Sequence, residues 1–315
     1  MAIIANTFTR YSAIGIREEL SNIIYNISPE QTPFVSNTQK DTVRNTFFEW
    51  QTDELAAAAV NAQLDGDDVA SFTAVVPTAR VGNYTMISRK DVILADNLEQ
   101  IDEAGRSSER AYQITKRGNE LKRDVEFNLV GVNATATAGN TTTARKTGSL
   151  AAWIITNTSK GSNGADNAAG TARTDGTQRA FTEAMLKTVV QAVYTQGGTP
   201  KLLMVGPFNK TVVSGFAGIA AQRYQAPDGP TTIIGAADVY VSDFGSISIT
   251  PNRFSRERDA YVLDPDLTAV CYLRPIHNVE LAKTGDASKE MILTEYGLRV
   301  DQQKGLGLVA DLTAS

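Results

Sequence analysis

The side chains able to do chemistry are few in this sequence, and their spacing decides how each is read. Cys271 and His277 stand six residues apart, and a thiolate nucleophile needs its base within hydrogen-bond reach. The alternative is that Cys271 is a small buried apolar residue and His277 a surface or packing residue. They are the sole cysteine and the sole histidine, which excludes an internal disulfide and every two-imidazole zinc pattern. Asp264 and Asp266 flank Pro265 and have the makings of an acid–base or cation-binding pair, against a simpler reading as an Asp–Pro turn. Asn209-Lys210-Thr211 follows Gly206 without the glycine spacing of a phosphate loop, and Pro207 withholds a backbone donor. Arg253, Arg256 and Arg258 form the densest arginine group, fitted to an acidic partner surface, to phosphate, or to a solvated loop. No catalytic, cofactor-binding or metal constellation emerges.

The elements that would position these residues follow from composition and pattern. With 315 residues, 42% apolar and 21% charged, the chain can bury a substantial core. Its net charge of −5 lacks the cationic excess of a sequence-independent nucleic-acid binder, although a local basic face stays open. No apolar run is long enough for a membrane span or a signal peptide, so we expect a soluble chain made inside the cell.

Residues 1–38 read as an arm with one short helix near 15–25, turned by Pro29 and Pro33, which prevent a regular helix through them. Thr42–Gln51 and Ser71–Ser88 alternate β-branched and aromatic residues and suggest a long hairpin. Its tip carries Asp53, Glu54, Asp65, Asp67 and Asp68 with no Lys or Arg among them, so a one-sided charge sits on a connection far longer than a usual hairpin loop. Over 91–131, Ala111, Ile114, Gly118, Leu121, Val125 and Leu129 trace one apolar stripe of a long helix. Asp102/Arg106, Lys116/Glu120 and Lys122/Glu126 are spaced for surface ion pairs on it.

A Thr/Ala/Gly/Asn-rich passage, 131–180, favours loop around the apolar island Leu150–Ile155, and a partner chain is the expected means of ordering it. Then come a helix over 181–196 closed by Gly197-Gly198, a buried strand at Lys201–Val205, a helix over 207–216 and strands at 231–241 and 246–250. The segments AYVLD, LTAVCYL, NVELAKT and MILTEYGLRV supply further strands, which return to the first unit's sheet.

Taken in order, arm, acidic-tipped hairpin, long helix, loop-rich passage, α/β insert and returning β-rich tail, the chain resembles the major capsid protein of tailed bacteriophages. SPEQTPFVSNT, ARKTGSLAAWIITN and DLTAVCYLRP…LAKTGDASKEMILTEYGLRV carry the likeness, which covers nearly the whole chain and points to the subgroup without a fused scaffolding domain. The resemblance implies an α+β fold: N-terminal arm 1–39, extended loop 40–90, peripheral domain 91–179 with a spine helix, axial domain 180–258, and a peripheral return over 259–315. It implies a structural protein, not an enzyme, without cofactor. Its partners would be its own copies in pentamers and hexamers of an icosahedral shell, with portal and decoration proteins and a separate scaffolding protein or none beside them, and packaged double-stranded DNA touched only non-specifically. No membrane is implied, and the location is the virion capsid, assembled in the bacterial cytoplasm. Rival readings are an enzyme-packaging nanocompartment shell of the same fold and a cytosolic α/β enzyme using Asp264, Asp266 or Cys271.

On this reading the five tip carboxylates contact Arg or Lys of another chain, where complementary charge sets register. Phe47, Phe48 and Trp50 anchor the hairpin, against a neighbour or within their own subunit. Arg253, Arg256 and Arg258 are the third group expected at inter-subunit contacts.

Overall fold

Two sheets carry the fold, and strand patterning accounts for both. The computed structural model describes residues 31–66, 68, 72–101, 108–216 and 238–314. The chain begins with α1 (Pro33–Asn37), β1 (Gln39–Thr42), β2 (Phe47–Thr52), β3 (Ala79–Tyr84), β4 (Met86–Ala95), α2 (Glu109–Glu126), α3 (Leu150–Trp153) and β5 (Thr158–Ser159). It continues with α4 (Glu183–Thr195), β6 (Leu202–Val205), α5 (Pro207–Ser214), β7 (Val239–Ser242), β8 (Gly245–Pro251), β9 (Ala260–Leu263), β10 (Thr268–Glu280), β11 (Ala287–Val300) and β12 (Gly307–Val309).

The first sheet has the order β1-β10-β11-β4, with β1 parallel to β10 and the other pairs antiparallel. Thus the tail does return to a sheet begun near the N-terminus. Here the structure corrects two expectations. Residues 91–95 are strand rather than helix, because Met86–Ala95 alternates half-buried and exposed positions along its whole length, the signature of a strand with one covered face. Correspondingly, only β2 and β3 form the hairpin, paired from Phe47↔Tyr84 to Thr52↔Ala79.

The long helix starts at Glu109, where the Ser108 hydroxyl accepts a hydrogen bond from the Ala111 N–H, and it closes in a wider π turn over Phe127–Gly131. Leu121, Val125 and Leu129 of the predicted stripe are buried, whereas Ala111 is exposed. The surface pairs differ from expectation: Glu120 takes Arg117 instead of Lys116, and Glu126 turns inward, leaving Lys122 outside. Asp102 and Arg106 lie outside the described residues, as does the helix expected near 15–25. Pro33 does not merely turn the chain but opens α1, since a first-turn residue needs no N–H for the helix.

The second sheet runs β5-β12-β9-β6-β8-β7 and has a core on each face. Leu202 and Met204 of β6, Tyr261 and Leu263 of β9 and Leu308 of β12 face one core, with Trp153, Leu129 and Tyr296. Their neighbours Leu203, Val205, Ala260, Val262 and Val309 face the other, with Leu186 and Val190 of α4 and Val213 of α5. A strand covered on both faces reads as a continuous apolar run, which is why LLMV and AYVL show no alternation. The segment 180–258 supplies β6, β7 and β8 to this sheet; β5, β9 and β12 come from outside it.

Within the passage 131–180 the chain supplies ordering contacts of its own. Asn83 donates to the Leu298 carbonyl (2.6 Å) and Thr147 Oγ1 (3.0 Å) and accepts from the Gly148 N–H (2.9 Å). Asp311, at φ +59°, accepts from the Gly161 and Gly176 N–H groups (3.0 and 2.8 Å), so side-chain acceptors do the ordering that sheet ladders do elsewhere.

Candidate assembly surfaces

The extended loop divides into an anchored base and an outward tip. At the base, strand alternation sends Phe48 and Trp50 to one face of β2 and Phe47 to the other. Phe48 is buried on Ala269 and Cys271, its ring pressed so close to Gly297 that a Cβ there would lie 2.6 Å from it. The Trp50 ring sits 5.4 Å from that of Trp153, and Phe47 packs on Tyr84 at 4.7 Å. All three rings therefore have partners in their own chain.

Beyond Thr52 the loop has no regular element until Ala79 among its described residues, and its large apolar side chains have no cover. Leu55, Val60, Phe72 and Val75 are 99%, 98%, 89% and 93% exposed, with Leu64 and Val76 close behind. Asp53, Glu54, Asp65 and Asp68 are exposed among them, and Asp67 lies outside the described residues. Glu54 meets Lys304 Nζ at 2.5 Å, so one tip carboxylate has a cation within its own chain. Sequence reading singled out the carboxylates and passed over the six apolar side chains, whose signal was present in a run without strand or helix period.

The arginine group splits. Arg256 is bonded to Asp175 and lies 3.3 Å from Asp259, while Arg258 donates to the Gly176 carbonyl (2.6 Å) and to Asp311 (3.1 Å). Burial pushes Asp175 up, but the Arg256 guanidinium outweighs it and holds that carboxyl below the usual range. Arg253 stands apart and exposed.

A junction that sequence reading missed lies at Glu126. Its carboxylate accepts from the Phe34 N–H (2.7 Å) and the Val35 N–H (2.9 Å) at the start of α1, and from Asn252 Nδ2 (2.6 Å) just after β8. One buried side chain at the end of α2 thus ties the arm to the second sheet. Burial raises its pKa, opposed by the three donors. The i,i+4 spacing from Lys122 concealed it, because helical spacing alone does not say which face a carboxylate takes.

The chemical candidates do not come together. Cys271 and His277 lie on one extended strand, about 20 Å apart at 3.3 Å per residue. Burial pushes the Cys271 thiol up to about 11, while His277 is exposed with Nδ1 2.7 Å from the Pro275 carbonyl. Asp264 accepts from the Asp266 N–H at 3.3 Å, and both carboxylates hold Lys201, which is a turn clasped to β6. Asn209 is buried, donating to the Glu257 carbonyl at 2.7 Å, and Lys210 pairs with Asp238. Among the described residues no group of three His, Cys, Asp or Glu is placed to hold a metal ion, and no helix is long and apolar enough to cross a membrane.

Residues 3–313 match the family described as SU10 major capsid protein. The major capsid protein of Escherichia phage Phieco32 is 30% identical over 93% of each chain. The capsid asymmetric unit of cyanophage A-1(L) superposes with a TM-score of 0.67 at 13% identity, over 95% of this chain and 97% of that one. The holo-SrpI encapsulin complex of Synechococcus elongatus gives 0.55 at 9% identity, over 95% and 93%. Likeness at such identities shows the fold alone.

Proposed function

The chain belongs to the SU10 major capsid protein family, and from that premise we propose that it assembles into pentamers and hexamers tiling an icosahedral head around double-stranded DNA. It is a structural protein of the virion capsid, not an enzyme. The observation that carries the assembly reading is the tip of the extended loop. Monomeric soluble proteins rarely leave contiguous apolar patches of more than a few hundred Å² in water, and six large apolar side chains within 22 residues are solvated here. Head-to-tail contacts that close make rings, and a loop too long for its own subunit supplies such a contact. In this reading Leu55, Val60, Leu64, Phe72, Val75 and Val76 cover apolar surface on an adjacent copy. Asp53, Asp65, Asp67 and Asp68 meet its basic groups and set the register. Portal, scaffolding and decoration proteins would complete the particle.

The nanocompartment reading rests on the encapsulin fold likeness at 9% identity, whereas the 30% identical relative is a phage capsid protein. Electron microscopy with size-exclusion chromatography tests the proposal. The full-length chain, with any scaffolding candidate, should give shells, rings or tubes, and a persistent 34 kDa monomer would refute it. Reversing Asp67 and Asp68 to Lys should cut particle yield while circular dichroism shows a folded protomer; unchanged yield would remove the tip carboxylates from the contact.

A further inference from the structure

The chain is acidic, but one of its faces is not. Along α2 and just after β8, three cations have no carboxylate partner among the described residues: Lys116, Arg123 and Arg253. At 100° per residue, Lys116, Arg123 and Phe127 fall within about 40° of one another on the side of α2 opposite the buried Val125, spread over about 16 Å. Arg253 is brought alongside by Phe254, whose ring lies 5.4 Å below the Arg123 guanidinium. Gly131 seats the Phe254 backbone and the Phe127 ring together, and a Cβ there would come within 2.4 Å of both. The nearby acidic groups are already used: Glu120 bonds Arg117, and Asp124 bonds Lys90. Phe127 remains about half exposed at the centre of the patch.

We infer that this face of α2, with Arg253 and Phe254, lies on the inside of the shell and binds the phosphate backbone of the packaged duplex. The inference rests on the capsid reading. A duplex carries one phosphate per about 1.7 Å of axis, so about nine fall within a 16 Å length, and those on its near side are enough to engage the three cations without any sequence preference. The acidic loop of a neighbour fits less well. Its tip carries six large apolar side chains that need apolar cover, and this face offers a single exposed ring among charges.

Two experiments decide it. Unassembled full-length protein is titrated with a short DNA duplex across a range of salt concentrations. Replacing Lys116, Arg123 and Arg253 by Gln should flatten the slope of log affinity against log salt by about 2 to 3. A control variant replaces three other exposed cations, Lys40, Arg44 and Lys146, and should change that slope by less than about 1. Equal slopes for the two variants would overturn the inference. In DNA-filled heads, ultraviolet crosslinks to DNA should map to peptides containing Phe127 and Phe254. If carbodiimide instead joins Lys116 to tip carboxylates of another copy, the face is an inter-subunit contact and the inference fails while the shell stands. Failure of the unaltered chain to form any shell is a separate result and refutes the capsid reading itself.

Discussion

The second sheet and the extended loop are built from similar residues and end in opposite states. Leu203, Val205, Ala260 and Val262 are buried by their own chain, while Leu55, Val60, Phe72 and Val75 are exposed among the described residues. The difference lies in what the chain provides opposite each run. β6 and β9 lie between helices on one face and the Trp153 core on the other, whereas beyond its anchored base at Thr52 the apolar side chains of the loop have no cover among the described residues. Stability of the protomer should therefore reside in the sheet and assembly in the loop, and substitutions can separate the two.

The largest effect on folding is expected from Leu203→Ala. Truncating a fully buried leucine costs about 2–5 kcal/mol, so a urea midpoint unchanged from the parent chain would break the comparison at once. Next comes Asp311→Ala, which strands the Gly161 and Gly176 N–H groups and removes one of the partners of Arg258. Hydrogen bonds to a charged group contribute about 1.5–3 kcal/mol, and the loss should show both in the denaturation midpoint and as faster proteolysis within 160–178.

A smaller, pH-dependent effect is expected at Glu126. Its carboxyl ionises at higher pH folded than unfolded, so between those two values the folded state holds the extra proton. The stability that proton brings is complete below the unfolded value and is lost as pH rises through the folded one. Glu126→Gln has no such titration. Across that window the parent chain should lose stability relative to the variant as pH rises, read from paired denaturation midpoints; parallel profiles would show that the junction is not tuned by burial. The smallest effect on folding belongs to the loop. Leu55→Ser with Phe72→Ser should shift protomer stability by no more than about 0.5 kcal/mol while lowering shell yield, and a large drop in stability would mean that the tip packs on its own subunit.

The readable parts of the sequence were those in which one local pattern points one way. The stripe Leu121, Val125 and Leu129, the helix over 183–195 ended by Gly197 at φ +88°, and the continuous apolar run of β6 each reflect a period or a backbone preference carried by adjacent residues. The misread stretch 91–95 shows the limit. Val92, Ile93 and Leu94 are compatible with helix or strand until β11 pairs beside them, and that pairing joins residues about 200 positions apart.

The candidate surfaces divide in the same way. The acidic tip was legible because one-sided charge on a long connection needs no partner to be noticed, and an internal disulfide and the two-imidazole zinc patterns fell to the counts of Cys and His alone. By itself the sequence determined composition, local periods, the glycine stop after α4 and the absence of a second imidazole. Only the tertiary structure decided that Phe48 and Trp50 turn inward, that Arg256 and Arg258 have internal partners while Arg253 is exposed with no carboxylate partner among the described residues, and that Glu126 joins the arm to the second sheet. The physical reason is that a charge or a ring takes its role from what lies within about 4 Å of it in space. In this chain those neighbours come from segments up to 126 residues away for Glu126 and farther still for Phe48.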